Sequence, residues 1–288
     1  MGKPKRLQVA VIGPGRLGSA CARALLDDDD LALAGIVRRN DSTGELPADL
    51  RRHPVATHVR ELPLVEAALV CVPALQVAGV ARELLQARLP VVECAAFEGR
   101  ELELHHAGLD EICQRYRATA VVGAGWNPGL LTLMQRAFQT LIPRGNEVQH
   151  RHPGLALHHS AAAEQVAGVA EALEGEVHGP DGLPQRYVYV RLQPKADFER
   201  VRSAILADPL FMSETTQVFE LDDLQALESG NDEGVALERR ANIASGSHAS
   251  LVFEARCDAA DFAARVMLDA ARRLPTLPHG AHRYALGL

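Results

Sequence analysis

The chain has 288 residues, enough for two domains or one large one. Hydrophobic residues make up 47% and charged residues 23%, ordinary values for a globular fold in water. A formal net charge of −7 opposes a nucleic-acid or anionic-membrane partner, since each needs a basic face, and no apolar run approaches the ~20 residues that span a bilayer.

In chain order, Met1 to Arg6 is basic, but the apolar run that follows is too short for a signal-peptide core. A cytoplasmic location is expected. Uninterrupted apolar runs at Leu7–Ile12, Leu31–Val37, Ala67–Val72, Val91–Cys94 and Ala120–Gly123 predict strands covered on both faces. Helical periodicity fills the gaps at Leu17–Leu26, Leu75–Ala87 and Leu104–Tyr116, so the first part reads as an α/β, doubly wound parallel sheet. The acidic run Asp27–Asp30 ends the first helix in a turn.

After Gly125 the pattern changes to α+β. Helices are expected over Pro128–Leu141 and Ala161–Leu173, and strands over Tyr187–Leu192, Thr216–Leu221 and Ser250–Ala255. Asp258 is placed to cap a last helix through Leu274, with Pro275 as its stop. Gly179 to Gly182 and Glu228 to Glu233 read as loops. This order predicts a mixed sheet open on one face. The expected domains are a dinucleotide-binding domain over 1–125, a substrate and dimerisation domain over 126–258, and a C-terminal helix and tail over 259–288.

Gly13-Pro14-Gly15-Arg16-Leu17-Gly18 fits G-x-G-x-x-G between a strand and a helix, the context in which that string binds a dinucleotide. The first glycine permits the tight turn, the second admits the pyrophosphate, and the third lets helix and strand pack. About 20 residues on, enzymes that use NAD carry Asp or Glu for the ribose hydroxyls. This chain has Arg38 and Arg39 after Val37, guanidinium groups suited to a 2′-phosphate. NADP is therefore expected rather than NAD; the other reading is a pair of solvated surface arginines.

The five cysteines are scattered, odd in number and without a Cys-x-x-Cys pair, and read as small buried hydrophobes. His150 and His152 share a strand face, yet no cysteine or carboxylate stands beside them to complete a site, so no metal is expected.

Ala124-Gly125-Trp126-Asn127-Pro128-Gly129 lies at the end of the last predicted Rossmann strand, where such folds bind ligands, and holds the only tryptophan. With the glycine motif, Arg38-Arg39 and Pro153-Gly154-Leu155-Ala156-Leu157-His158-His159-Ser160, it resembles the meso-diaminopimelate dehydrogenase family. That family carries Gly-Trp-Asp-Pro-Gly at the junction and Pro-Gly-Leu…Gly-His-Ser in its second domain. The likeness extends through Val166 to Val169, Gln185 to Val188 and the last helix. It implies NADP-dependent oxidative deamination of an amino acid at a D-centre, or the reverse. It further implies cofactor contacts from Gly13, Pro14, Gly15, Arg16, Leu17, Gly18, Arg38, Arg39, Cys71, Val72, Pro73 and Ala74. Cys94, Ala95, Ala96, Gly125, Trp126, Asn127, Pro128 and Gly129 would complete them. Trp126, Asn127, His158, His159, Ser160 and Arg186 would face the substrate.

Three positions depart from the family. Its junction aspartate is Asn127 here, its acid at the end of the fifth strand falls at Ala96, and the aspartate after His-Ser is Ala161. Since carboxylates commonly hold ammonium groups, the pocket is expected to prefer another amino-acid-like substrate. Asn127 reads equally as a helix cap, Trp126 as core, and Arg186 as a carboxylate clamp or a surface charge. His248 either reaches the pocket or satisfies a loop. Two other functions stay open. One is a Gfo/Idh/MocA-type sugar or polyol dehydrogenase, opposed by the missing lysine after Glu93; the other is a non-catalytic NADP-binding sensor. A homodimer is expected to cover the open sheet.

Overall fold

The computed structural model describes residues 5–38, 46–97, 99–153, 157–178, 184–212, 215–224, 232–241 and 249–286. It divides into two compact units: Met1–Met134 with Ala259–Leu288, and Gln135–Asp258.

The first unit begins with β1 (Leu7–Ile12), α1 (Arg16–Leu26), β2 (Leu31–Val37) and β3 (Val55–Ala56). It continues through β4 (Ala67–Val70), α2 (Ala74–Gln86), β5 (Val91–Glu93), α3 (Gly99–Tyr116) and β6 (Thr119–Val122). Helix α4 (Leu130–Leu141) leads into the second unit. There follow β7 (Gly145–Pro153), α5 (Leu157–Glu164), β8 (Val169–His178), β9 (Pro184–Leu192), α6 (Phe198–Leu206) and β10 (Thr215–Glu220). Strands β11 (Asp232–Ala241) and β12 (Ser250–Asp258) end that unit; α7 (Ala259–Arg273) and β13 (Gly280–Arg283) return to the first.

Seven parallel strands lie in the order β13-β6-β5-β4-β1-β2-β3, so the reading of a doubly wound parallel sheet holds. Its strands are apolar throughout because both faces are covered. Val9 and Val11 pack with Leu25, Leu69 and Met267 on one face. Ala10 and Ile12 pack with Val70, Val77 and Leu85 on the other. The residues expected to form a C-terminal tail instead supply the seventh strand: Gly280 to Arg283 pair in register with Thr119 to Val122.

The second unit holds two three-stranded sheets where one open sheet was expected. One is mixed, with β10 parallel and β8 antiparallel to β9; the other sets β11 antiparallel between β12 and β7. The helix expected over Ala161–Leu173 is also corrected. It stops at Glu164, and from Val169 the chain is strand β8. Between them Gly168 adopts φ +102°, and a Cβ there would press on Ala196 and Val201 at 3.1 Å. The left-handed turn breaks the helical period that the apolar spacing suggests. Val188, Val190, Val201, Ile205 and Phe211 form this unit's core.

Helix α4 starts at Leu130, not at Pro128. Residues 125–129 form a turn in which Gly125 N–H donates to Pro128 O at 3.2 Å and Leu130 N–H donates to Gly125 O at 3.0 Å. At its far end Arg239, 8% exposed, donates to the carbonyls of Ile142 at 2.7 Å and Pro143 at 3.3 Å.

Candidate functional site

At the end of β1, Gly13 takes φ +96° and donates its N–H to Val37 O at 2.9 Å. A Cβ on Gly18 would lie 1.9 Å from Gly13 O, so only glycine lets α1 pack onto this turn. A Cβ on Gly15 would meet nothing within 4 Å. Gly15 caps α1, whose first turn carries no acidic residue, so its N–H groups and partial positive charge face open space. The turn fits a pyrophosphate.

A cavity of about 460 Å³ opens on this turn. Gly13, Pro14 and Gly15 line one side, and Cys71, Val72 and Pro73 line another at the end of β4. Arg38 lines it too, as its N–H donates to Ala56 O at 3.0 Å on β3. Arg38 thus stands on the wall the sequence assigns to the adenosine end, with no carboxylate at the end of β2. Arg39 lies outside the described residues. The sequence reading missed Thr57, His58, Gln76 and Glu83, which also line the cavity. Strand β3 has two residues and carries no periodic signal, although apolar Val80 and Leu84 on one face of α2 hinted at that wall.

The ends of β5 and β6 meet through one side chain. Glu93, fully buried, accepts from Ala95 N–H at 2.7 Å and Gly123 N–H at 3.0 Å. This ties the loop carrying Cys94, Ala95 and Ala96 to the loop leading to Gly125. Ala96 is exposed and Ala95 buried. Burial, with the Glu93 charge second, pushes the Cys94 thiol up to about 12. Cys71 is held well above its ordinary value by its contact with Cys21 (Sγ–Sγ 3.8 Å) and by burial. Both thiols therefore stay protonated and are poor nucleophiles. All five cysteines are free.

Trp126 is core: it is 6% exposed and meets Phe262 edge-on at 5.3 Å. Asn127 is half-buried, with Pro128 and Gly129 buried beside it. Ala74 opens α2, outside the cavity wall.

In the second unit Ser160, Glu174 and Arg186 come together. Arg186 Nη1 donates to Glu174 Oε1 at 2.8 Å, and Glu174 N–H donates to Ser160 Oγ at 2.8 Å. Glu174 is fully buried and Arg186 7% exposed, which removes the surface-charge reading of Arg186. Its partner Glu174 gave no sequence signal beyond an acid in an apolar run. Gly154, Leu155, Ala156 and His248 lie outside the described residues, as do the side chains of His158 and His159. Among the described residues no three His, Cys, Asp or Glu side chains gather to hold a metal, and no helix is long and apolar enough to cross a membrane.

Residues 7–93 match the model of an oxidoreductase family with an NAD-binding Rossmann fold. The chain resembles meso-diaminopimelate dehydrogenases over nearly its whole length. The Bacteroides fragilis meso-diaminopimelate D-dehydrogenase is 27% identical over 269 residues, 93% of this chain and 89% of that one. Among solved structures, the C. glutamicum enzyme in complex with diaminopimelate is 19% identical, covers 97% of this chain and 93% of that one, and has a TM-score of 0.62. An engineered D-amino acid dehydrogenase bound to NADP+ gives 19%, 97%, 93% and a TM-score of 0.60. These two share the fold. The oxidoreductase match covers the Rossmann part alone, so it is equally compatible with sugar and amino-acid dehydrogenases.

Proposed function

We propose that this chain is an NADP-dependent dehydrogenase that reversibly deaminates an amino acid other than meso-diaminopimelate, as a cytoplasmic homodimer. The observation that carries the cofactor half is the single cavity shared by the glycine turn and Arg38, with no acid at the end of β2. When bound, the nicotinamide accepts hydride from the substrate α-carbon; the resulting imine takes up water and releases ammonia and a 2-oxo acid.

The chain's part is orientation and dryness. Glu93 holds the two loops beneath the nicotinamide end, and Trp126 walls that region. In the second unit Ser160 and Arg186 are the substrate-facing candidates, with Arg186 directed at the α-carboxylate. Sharing its charge with Glu174 weakens its hold on an anion, which favours a substrate of low charge. Asn127, Ala96 and Ala161, standing where the related dehydrogenases hold acids, point the same way, because a second ammonium group finds no carboxylate there.

The test is a panel of D- and L-amino acids with NADP+, and of 2-oxo acids with ammonia and NADPH, followed at 340 nm. Turnover of a mono-amino substrate above that of meso-diaminopimelate is expected. Selective oxidation of meso-diaminopimelate would overturn the substrate reading, and cofactor binding without any turnover would favour a sensor.

A further inference from the structure

The far end of the cavity has a polar rim that the pyrophosphate and Arg38 do not use. Strand β3 runs parallel to β2 with Ala56 opposite Val37, so the next residues, Thr57 and His58, leave the sheet beside Arg38. Helix α2 supplies the facing wall through Gln76, Val80, Glu83 and Leu84, a spacing of i, i+4, i+7 and i+8 that puts them on one helical face. Val80, Leu84, Leu46 and Val72 make the middle apolar, as a flat ring requires, and Glu83 stands at its edge.

The carboxylate is held there by a defined tautomer. His58 Nδ1 accepts the Arg60 N–H at 3.0 Å, so Nε2 carries the proton and donates to Glu83 Oε1 at 3.0 Å. An ionised carboxylate only accepts hydrogen bonds. Beside Arg38 and the glycine turn it would repel phosphate, so its partner in the cavity is a donor on the base.

We propose that Glu83, positioned by His58, accepts a hydrogen bond from the exocyclic amine of the cofactor's adenine and makes the cavity selective for adenine over hypoxanthine dinucleotides. This rests on the dinucleotide-binding reading. Hypoxanthine carries a carbonyl oxygen where adenine carries the amine, which sets an oxygen against the carboxylate.

The experiment is fluorescence titration of NADPH, NADH and the reduced hypoxanthine analogue of NADPH against the wild type and four variants, with circular dichroism to check folding. The wild type is expected to prefer NADPH over its hypoxanthine analogue by about tenfold or more, the weight of one charged hydrogen bond. Glu83→Ala brings that ratio near one and leaves the NADPH:NADH ratio unchanged. Glu83→Gln narrows it because an amide can turn its N–H to the carbonyl, and His58→Ala narrows it less. Arg38→Ala shifts the NADPH:NADH ratio and spares the base preference. Equal binding of both bases by the wild type, or a preference that survives Glu83→Ala, overturns the inference alone. Failure to bind any of the three dinucleotides overturns the underlying reading as well.

Discussion

His105 Nε2 lies 3.4 Å from Glu93 Oε1, with the imidazole 6% exposed and the carboxylate fully buried. The ring also leans on Phe97 at 4.7 Å. Glu93 is therefore enclosed by two backbone N–H donors and one imidazole, drawn from β5, β6 and α3. Glu93→Ala would strand both donors and leave His105 without its acid. A loss of about 3–5 kcal/mol in urea unfolding is expected. Glu93→Gln keeps one acceptor oxygen and is expected to lose about 1–3 kcal/mol. Equal stability of wild type and Glu93→Ala would show that the loops are held by other contacts.

Replacing Arg38 and Arg39 together by alanine is expected to weaken NADPH binding by about ten- to a hundredfold and leave NADH nearly unchanged, from about 1.5–3 kcal/mol per charge-assisted contact. Isothermal titration with both cofactors decides this. A parallel loss for both would remove the 2′-phosphate assignment.

The Arg186–Glu174 pair makes a different prediction. Glu174→Ala leaves a guanidinium buried without its carboxylate and is expected to cost about 3–5 kcal/mol, whereas Glu174→Gln with Arg186→Met costs markedly less. Denaturant midpoints of the single and double variants form the cycle, and additive losses would contradict a coupled pair.

Alkaline stability follows from two raised groups. Burial, then the Glu93 charge, moves Cys94 from 9.0 to about 12. Burial, then its hydrogen bond to Asp269, moves Tyr284 from 10.0 to about 12. The folded state keeps protons that the unfolded chain releases, so their contribution is complete below pH 9 and is lost as pH rises toward 12. Urea midpoints should be flat up to about pH 9 and then decline. Tyr284→Phe should shallow that decline above pH 10; an unchanged slope would exclude Tyr284 as a source.

For assembly, Tyr187, Tyr189 and Phe219 cluster on one face of the mixed sheet, with ring centroids 5.3–6.5 Å apart. Sedimentation at micromolar concentration is expected to give a dimer. A monomer there would remove the dimer from the proposal.

The Rossmann half was legible because its evidence is local. Leu7–Ile12 and Leu31–Val37 are apolar on both faces, and the glycines of 13–18 are demanded by contacts within a few residues of one another or of the adjoining strands. The strands that complete the sheets were not legible. Val55–Ala56 is too short to show a period, and Gly280–Arg283 becomes a strand through the open edge of β6. Asp232–Ala241 is charged along its length and is a strand because β12 and β7 pair with it on both sides. Side-chain partners followed the same division. Residue types named Arg38 and Arg186 as candidates, but Glu83 beside His58, Glu174 beneath Arg186 and Glu93 facing His105 are pairings between separate elements. Their spacing in the chain carries no periodicity, so only the packed strands and helices could decide them.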